Sequence, residues 1–185
     1  MPELYDVAAI GNAIVDVIAP STDAFLDAQG LTKGSMHLID GERAAQLYDA
    51  MAAGMEASGG SAGNTVAGVA SLGGTAAYIG KVAKDQLGGV FTHDLRAQGV
   101  HFETPPLQGA DATARSLINV TPDGQRTMST FLGVAGLLNS DDVDEAVIKE
   151  SAITYLEGYL FDPPPARQAF DRAADIARSA GRKVA

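Results

Sequence analysis

The sequence predicts an α/β fold, a parallel sheet wrapped by helices, with a β-hairpin set apart from that sheet. Three observations predict it. Apolar, β-branched runs alternate with segments of helical spacing in the first and last thirds of the chain. The middle instead carries two partly alternating runs on either side of a turn sequence. A glycine-rich segment opens one of the helices and leaves its main chain bare of side chains.

The elements follow in order. Tyr5–Ala19 (YDVAAIGNAIVDVIA) is almost continuously apolar, as expected of one strand buried on both faces. Met36–Ile39 reads as a short second strand. Asp40–Gly54 (DGERAAQLYDAMAAG) reads as a helix with Asp40 as N-cap and Gly54 as stop. Within Ser58–Gly74 (SGGSAGNTVAGVASLGG), Val66, Val69 and Ala70 stand at helical spacing, so a helix is expected from near Ser61 to near Gly73. Glycine inside a helix costs about 0.5–1 kcal/mol relative to alanine. Something must therefore approach this main chain closely. Thr75–Ala83 is the next strand and Lys84–Val100 the next helix, closed by Gly99.

Thr113–Leu132 reads as a β-hairpin around Thr121–Gly124 (TPDG), and it stands off the main sheet because no helix separates its strands. The βα rhythm then returns with a helix at Ser140–Ser151 and a strand at Ala152–Gly158. A helix at Pro164–Gly181 follows, with Pro164 and Pro165 in its first turn. Arg182–Ala185 looks like entry into a further strand, and the expectation is a chain that continues past it.

Length and composition suit one domain. The chain has 185 residues, 46% of them hydrophobic and 19% charged, enough for a buried core. Thirteen basic against 23 acidic residues leave a net charge of −10, which repels nucleic-acid backbones and anionic membranes. No apolar run is long enough to span a membrane, and Met1–Asp16 shows no basic segment followed by an apolar one and a cleavage site. Cysteine is absent. A cytoplasmic protein without disulfides is the expectation.

Two constellations carry chemistry. Asn12, Ile14 and Asp16 in GNAIVD share one face if they lie on a strand. Polar groups on such a face need partners. Asp16 offers two acceptor oxygens, suited to the adjacent hydroxyls of a sugar diol, and Asn12 both donates and accepts. The same two residues also fit a turn, with Asp16 as cap and Asn12 in a bend beside Gly11. The second constellation is Gly59 and Gly60 ahead of a helix, where bare N–H groups and the Asn64 amide suit hydroxyls or an anion. Gly68, Gly73 and Gly74 are read as allowing close helix–sheet packing. Neither a Walker phosphate loop nor a dinucleotide fingerprint is present. His37, His93 and His101 are scattered, with nothing at metal-ligand spacing.

GNAIVD, then GGSAGNTVAGVASLGG with YIGKVAKDQLG, then the hairpin, together resemble the N-terminal half of a ribokinase-like (PfkB-type) carbohydrate and nucleoside kinase. The adenosine kinase-like branch is the most similar. The resemblance covers essentially the whole chain, with two departures: Val66 where a small residue is usual, and Ala83 where glycine is common. It implies a three-layer parallel-sheet fold with a small β lid built from about 17–39 and 113–132. It implies Asn12, Asp16, Gly59, Gly60 and Asn64 around a sugar, Glu157 presented towards that sugar, and Arg126 on transferring phosphate charge. Tyr159 and Leu160 would lie near a nucleobase, and Ser35 and Met36 near the lid pocket.

The implied activity is ATP-dependent phosphorylation of a primary hydroxyl on a nucleoside or sugar, with Mg²⁺ as metal. The protein would be a monomer or a lid-mediated homodimer. The family's second signature, an aspartate–threonine–x–glycine–alanine–glycine–aspartate run, does not occur in these residues. The expectation is thus a chain that supplies acceptor binding and the lid, with the general base and ATP site elsewhere. A non-catalytic nucleoside- or sugar-binding module is the alternative.

Overall fold

The computed structural model describes residues 4–109 and 111–185. Its strands are β1 (Tyr5–Ile10), β2 (Ile14–Pro20), β3 (Met36–Leu38), β4 (Met55–Gly59), β5 (Ala76–Ile79), β6 (His101–Phe102), β7 (Ala114–Val120), β8 (Arg126–Phe131), β9 (Ser151–Leu156) and β10 (Lys183–Val184). Its α-helices are α1 (Asp23–Ala28), α2 (Gly41–Ala50), α3 (Ser61–Ser71), α4 (Gln86–Ala97), α5 (Glu145–Lys149) and α6 (Pro164–Ser179).

The strands form two sheets. The first, in the order β10-β9-β1-β5-β6, is parallel throughout. Alternation along β1 sends Ala9 to one face, packed with Val66 of α3 and Phe91 and Leu95 of α4. Ala8 and Ile10 face the other way, against Ile148 of α5 and Ala169 and Phe170 of α6. Helices on both faces of a parallel sheet make three layers, as expected. The predicted hairpin lies in the second sheet, ordered β3-β8-β7-β2-β4.

Several boundaries differ from the sequence reading, each for a physical reason. Tyr5–Ala19 is not one strand. It breaks at Gly11–Ala13, and its halves join different sheets. At the break the Asn12 N–H leaves the ladder to donate to a buried carboxylate, Glu157 Oε2, at 2.7 Å. The composition of β4, MEASG, carries no strand signal, and the segment is held extended by antiparallel pairing with β2. The helix expected over 140–151 is a 3₁₀ turn at Ser140–Asp142 followed by α5, because Asp144 stops the first and caps the second through Ala146 N and Val147 N. Of the three glycines expected to ease packing, only Gly74 abuts a neighbour, Val69, whereas Gly68 and Gly73 face open space.

The first sheet's strand order fixes where a ligand fits. From β1 the chain proceeds to β5 on one side and later to β9 on the other. The strand order therefore reverses between β1 and β9, which stay parallel, and the crevice beyond their carboxyl ends is the usual binding position in such sheets.

Candidate active site

Glu157 sits at that reversal. It follows β9, and only 2% of its surface is exposed. Its Oε2 accepts from the Asn12 main-chain N–H at 2.7 Å and from Asn12 Nδ2 at 3.1 Å. Its Oε1 accepts from Ala62 N, in the first turn of α3, at 2.9 Å. One buried carboxylate therefore ties together the end of β1, the end of β9 and the start of α3. The sequence reading sets Asn12 on one strand face with Asp16, and the structure does not. Asn12 lies in the break, with its amide turned to Glu157.

Asp16 does lie on a strand. On β2 it shares a face with Ile14 and Ile18, while Val15 and Val17 turn into the core. The pairing register sets it beside Ala57 of β4 and Ser116 of β7, and Ser116 beside Thr130 of β8. Ser116 Oγ and Thr130 Oγ1 share a hydrogen bond of 3.0 Å. Among the described residues the half-buried Asp16 carboxylate receives no hydrogen bond and forms no ion pair. Burial raises its pKa above the ordinary value, and the Arg126 guanidinium partly offsets this. Arg126 is exposed and stands four residues before Thr130, on the same face of β8.

The glycine pair packs onto these groups. A Cβ built on Gly59 would fall 2.4 Å from Asp16 Oδ2, and one on Gly60 would fall 2.6 Å from the Asn12 carbonyl oxygen. Gly60 also takes φ +80°, a left-handed value that disfavours side chains, as N-cap of α3. The close approach expected of this segment is thus made first by the protein's own Asp16 and Asn12. Asn64 is exposed on α3, and its N–H donates to Gly60 O at 2.9 Å.

Beside these residues opens a cleft of about 430 Å³, the size of a small-molecule site. It is lined by Asn12, Ser61 and Glu157 and, from the second sheet, by Ile14, Met36, Leu38 and Thr130. Tyr159, 79% exposed, also lines it, with Leu160 and Pro163. Asp16 lies next to the cleft, two residues beyond Ile14 on the same face. Sequence reasoning missed Ser61, which lies within the GGSAGN run at the start of α3, and Leu38, Thr130 and Ser116, which carry no motif and arrive through sheet register. Met36 lines this cleft, while Ser35 hydrogen-bonds Thr32 O and does not. A larger, shallower groove of about 590 Å³ along α4 brings together none of the expected site residues.

Residues 6–185 match the profile of the pfkB family carbohydrate kinases. The chain belongs to that family. This pfkB-family chain is 59% identical to an adenosine kinase from Sinorhizobium meliloti, with a TM-score of 0.89 over 97% of this chain and 55% of that one. It is 53% identical to a probable sugar kinase protein from Rhizobium etli CFN 42, with a TM-score of 0.91 over 100% of this chain and 56% of that one. Fructokinase-1 of Zea mays is 30% identical over 69% of this chain and 40% of its own length. The pfkB-family chain thus spans about half, or less, of the relatives it matches. No helix among the described residues is long and apolar enough to cross a membrane.

Proposed function

We propose that this chain forms the acceptor-binding part of an ATP-dependent kinase that phosphorylates a primary hydroxyl of a nucleoside or sugar, with an adenosine-like nucleoside favoured. One observation carries the reading: the Asp16 carboxylate lies half-buried against Gly59 without a hydrogen-bond donor. A carboxylate held away from water without a partner destabilises the fold unless a ligand supplies the donors. Adjacent hydroxyls of a ribose or hexose are such donors. The Gly59–Gly60 main chain lets the sugar ring lie close, and Asn64 adds an amide at the first turn of α3.

Each group then has a role. Asp16 accepts from two hydroxyls, and Asn12 offers its amide oxygen while its Nδ2 donates to Glu157. Glu157 acts through Asn12 and Ala62, with both carboxylate oxygens engaged by the protein. Residues of about 17–39 and 113–132, with β4 beside them in the second sheet, serve as the lid and exclude water, the competing acceptor. Arg126 extends positive charge over the lid face, where a transferring phosphoryl group gains from it.

ATP and Mg²⁺ enter the reading through the family. Among the described residues no group of three or more His, Asp or Glu could hold a metal ion, and no phosphate-loop lysine is present. The apolar side chains of Met36 and Leu38 and the ring of Tyr159, all lining the cleft, favour a nucleoside over a bare hexose because they offer surface for a planar base.

An ADP-release assay on the full-length protein with a panel of nucleosides and sugars tests the reading, together with calorimetry of Asp16→Ala. Bonds to a charged acceptor contribute about 1.5–3 kcal/mol each, so acceptor affinity should fall at least about tenfold. Unchanged affinity in Asp16→Ala would refute the diol assignment. Binding without phosphoryl transfer to any acceptor would favour the non-catalytic module.

A further inference from the structure

We propose that Asp85 is a positioning residue for the acceptor site, fixing β7, the central strand of the second sheet, onto the first turn of α4. The proposal rests on the reading of the cleft as an acceptor site. Asp85 Oδ1 accepts from Gly88 N at 2.8 Å, an ordinary helix N-cap. Its second oxygen does something a cap does not require. Oδ2 accepts from the main-chain N–H of Thr113, 28 residues along the chain, at 2.8 Å.

Thr113 is fully buried and immediately precedes β7. Its hydroxyl donates to Asp85 Oδ1 at 2.6 Å and accepts from Ala83 N at 2.9 Å. Gly88 leaves room for this knot, since a Cβ there would fall 2.1 Å from Ala83 O and 3.1 Å from Thr113 Oγ1. The next crossing between the sheets is tied to the same point, because Val134 N donates to Ala112 O at 3.1 Å just after β8.

The consequence for the site runs through register. With Thr113 held, Ala114 pairs with Ile14 and Ser116 with Asp16, and β8 then brings Thr130 beside Ser116. Asp85 thus stands to β7 and β8 as Glu157 stands to β2 and β4. Each carboxylate, outside the second sheet, holds a point where the chain crosses into or out of it.

Asp85→Asn separates the anchor from the cap. Asparagine caps helices as well as aspartate does, but it offers one acceptor oxygen and would place an amide N–H against the Thr113 N–H. In the full-length protein, amide hydrogen exchange across 113–131 should accelerate about tenfold in Asp85→Asn, with 5–10 and 76–79 unchanged. Adenosine affinity measured by calorimetry should weaken by about the same factor. Thr113→Val, which removes the hydroxyl's bonds to Asp85 and Ala83 but keeps the N–H, should show both effects more weakly, whereas Thr113→Ser, which keeps the hydroxyl, should behave as the unaltered protein does.

Unchanged exchange in Asp85→Asn, or acceleration spread equally over both sheets, would overturn the proposal. Selective acceleration with undiminished adenosine affinity would overturn it as well. Failure of the unaltered protein to bind any nucleoside or sugar would instead refute the acceptor reading itself, and the exchange pattern would still decide whether Asp85 holds β7.

Discussion

The carboxylate of Asp16 lies against the α-carbon of Gly59, so close that a Cβ built on the glycine would fall 2.4 Å from both Oδ2 and Cγ. No side chain fits between Gly59 of β4 and Asp16 of β2. Gly59→Ala should therefore displace Asp16. The expected cost is about 1–3 kcal/mol of stability, as for other overpacked sites, with acceptor affinity reduced as in Asp16→Ala. Denaturant unfolding and calorimetry together check this, and an alanine variant with normal affinity would show that Asp16 need not stay where it is.

Asp16 itself should reveal a conflict between stability and binding. Its pKa is raised in the fold, chiefly by burial, so the folded state holds the proton more tightly than the unfolded chain does. Stability from this group is then present below the ordinary aspartate pKa and is lost as pH rises through the raised value. Asp16→Asn removes that loss. The variant should melt higher than the unaltered protein at pH 7, with the gap closing towards pH 3, while binding the acceptor more weakly. Thermal melts across that range decide it.

Glu157→Gln should cost about 2–3 kcal/mol, because a buried amide N–H would replace an oxygen that now accepts from a protein donor. The damage should concentrate at the junction of the two sheets. Exchange rates at Asn12 and Ala62 are the measurement, and a variant as stable as the parent would show that Glu157 does not organise the junction.

Tyr159→Ala should leave stability within about 0.5 kcal/mol, since the ring is 79% exposed. Nucleoside affinity should fall by a few-fold to about tenfold, the range of an aromatic contact, with hexose affinity untouched. Equal losses for both ligands would remove the argument for a base against this ring.

Asp123 should titrate in the opposite sense to Asp16. Hydrogen bonds from Lys33 and Thr121 in the hairpin turn lower its pKa to about 2. A carboxyl-carbon NMR titration should place its midpoint near that value, and Lys33→Met should return it towards the ordinary aspartate range.

The composition, the alternating βα pattern and the paired motifs GNAIVD and GGSAGN were enough to predict the parallel sheet, the hairpin and the family. These features are local: a strand, a cap or a turn is specified by residues a few positions apart. Asn12, Asp16, Gly59 and Gly60 could be singled out as candidates for the same reason. The break at Gly11–Ala13 was not legible, because Glu157, whose carboxylate receives the Asn12 N–H, lies 145 residues away. Nor was β4, whose residues are extended only because β2 pairs with them. The place of Ser116 and Thr130 beside Asp16, and the reach of Asp85 to Thr113, depend on register between distant strands. Register follows from how buried faces and hydrogen bonds are satisfied together, so only the tertiary structure decided it.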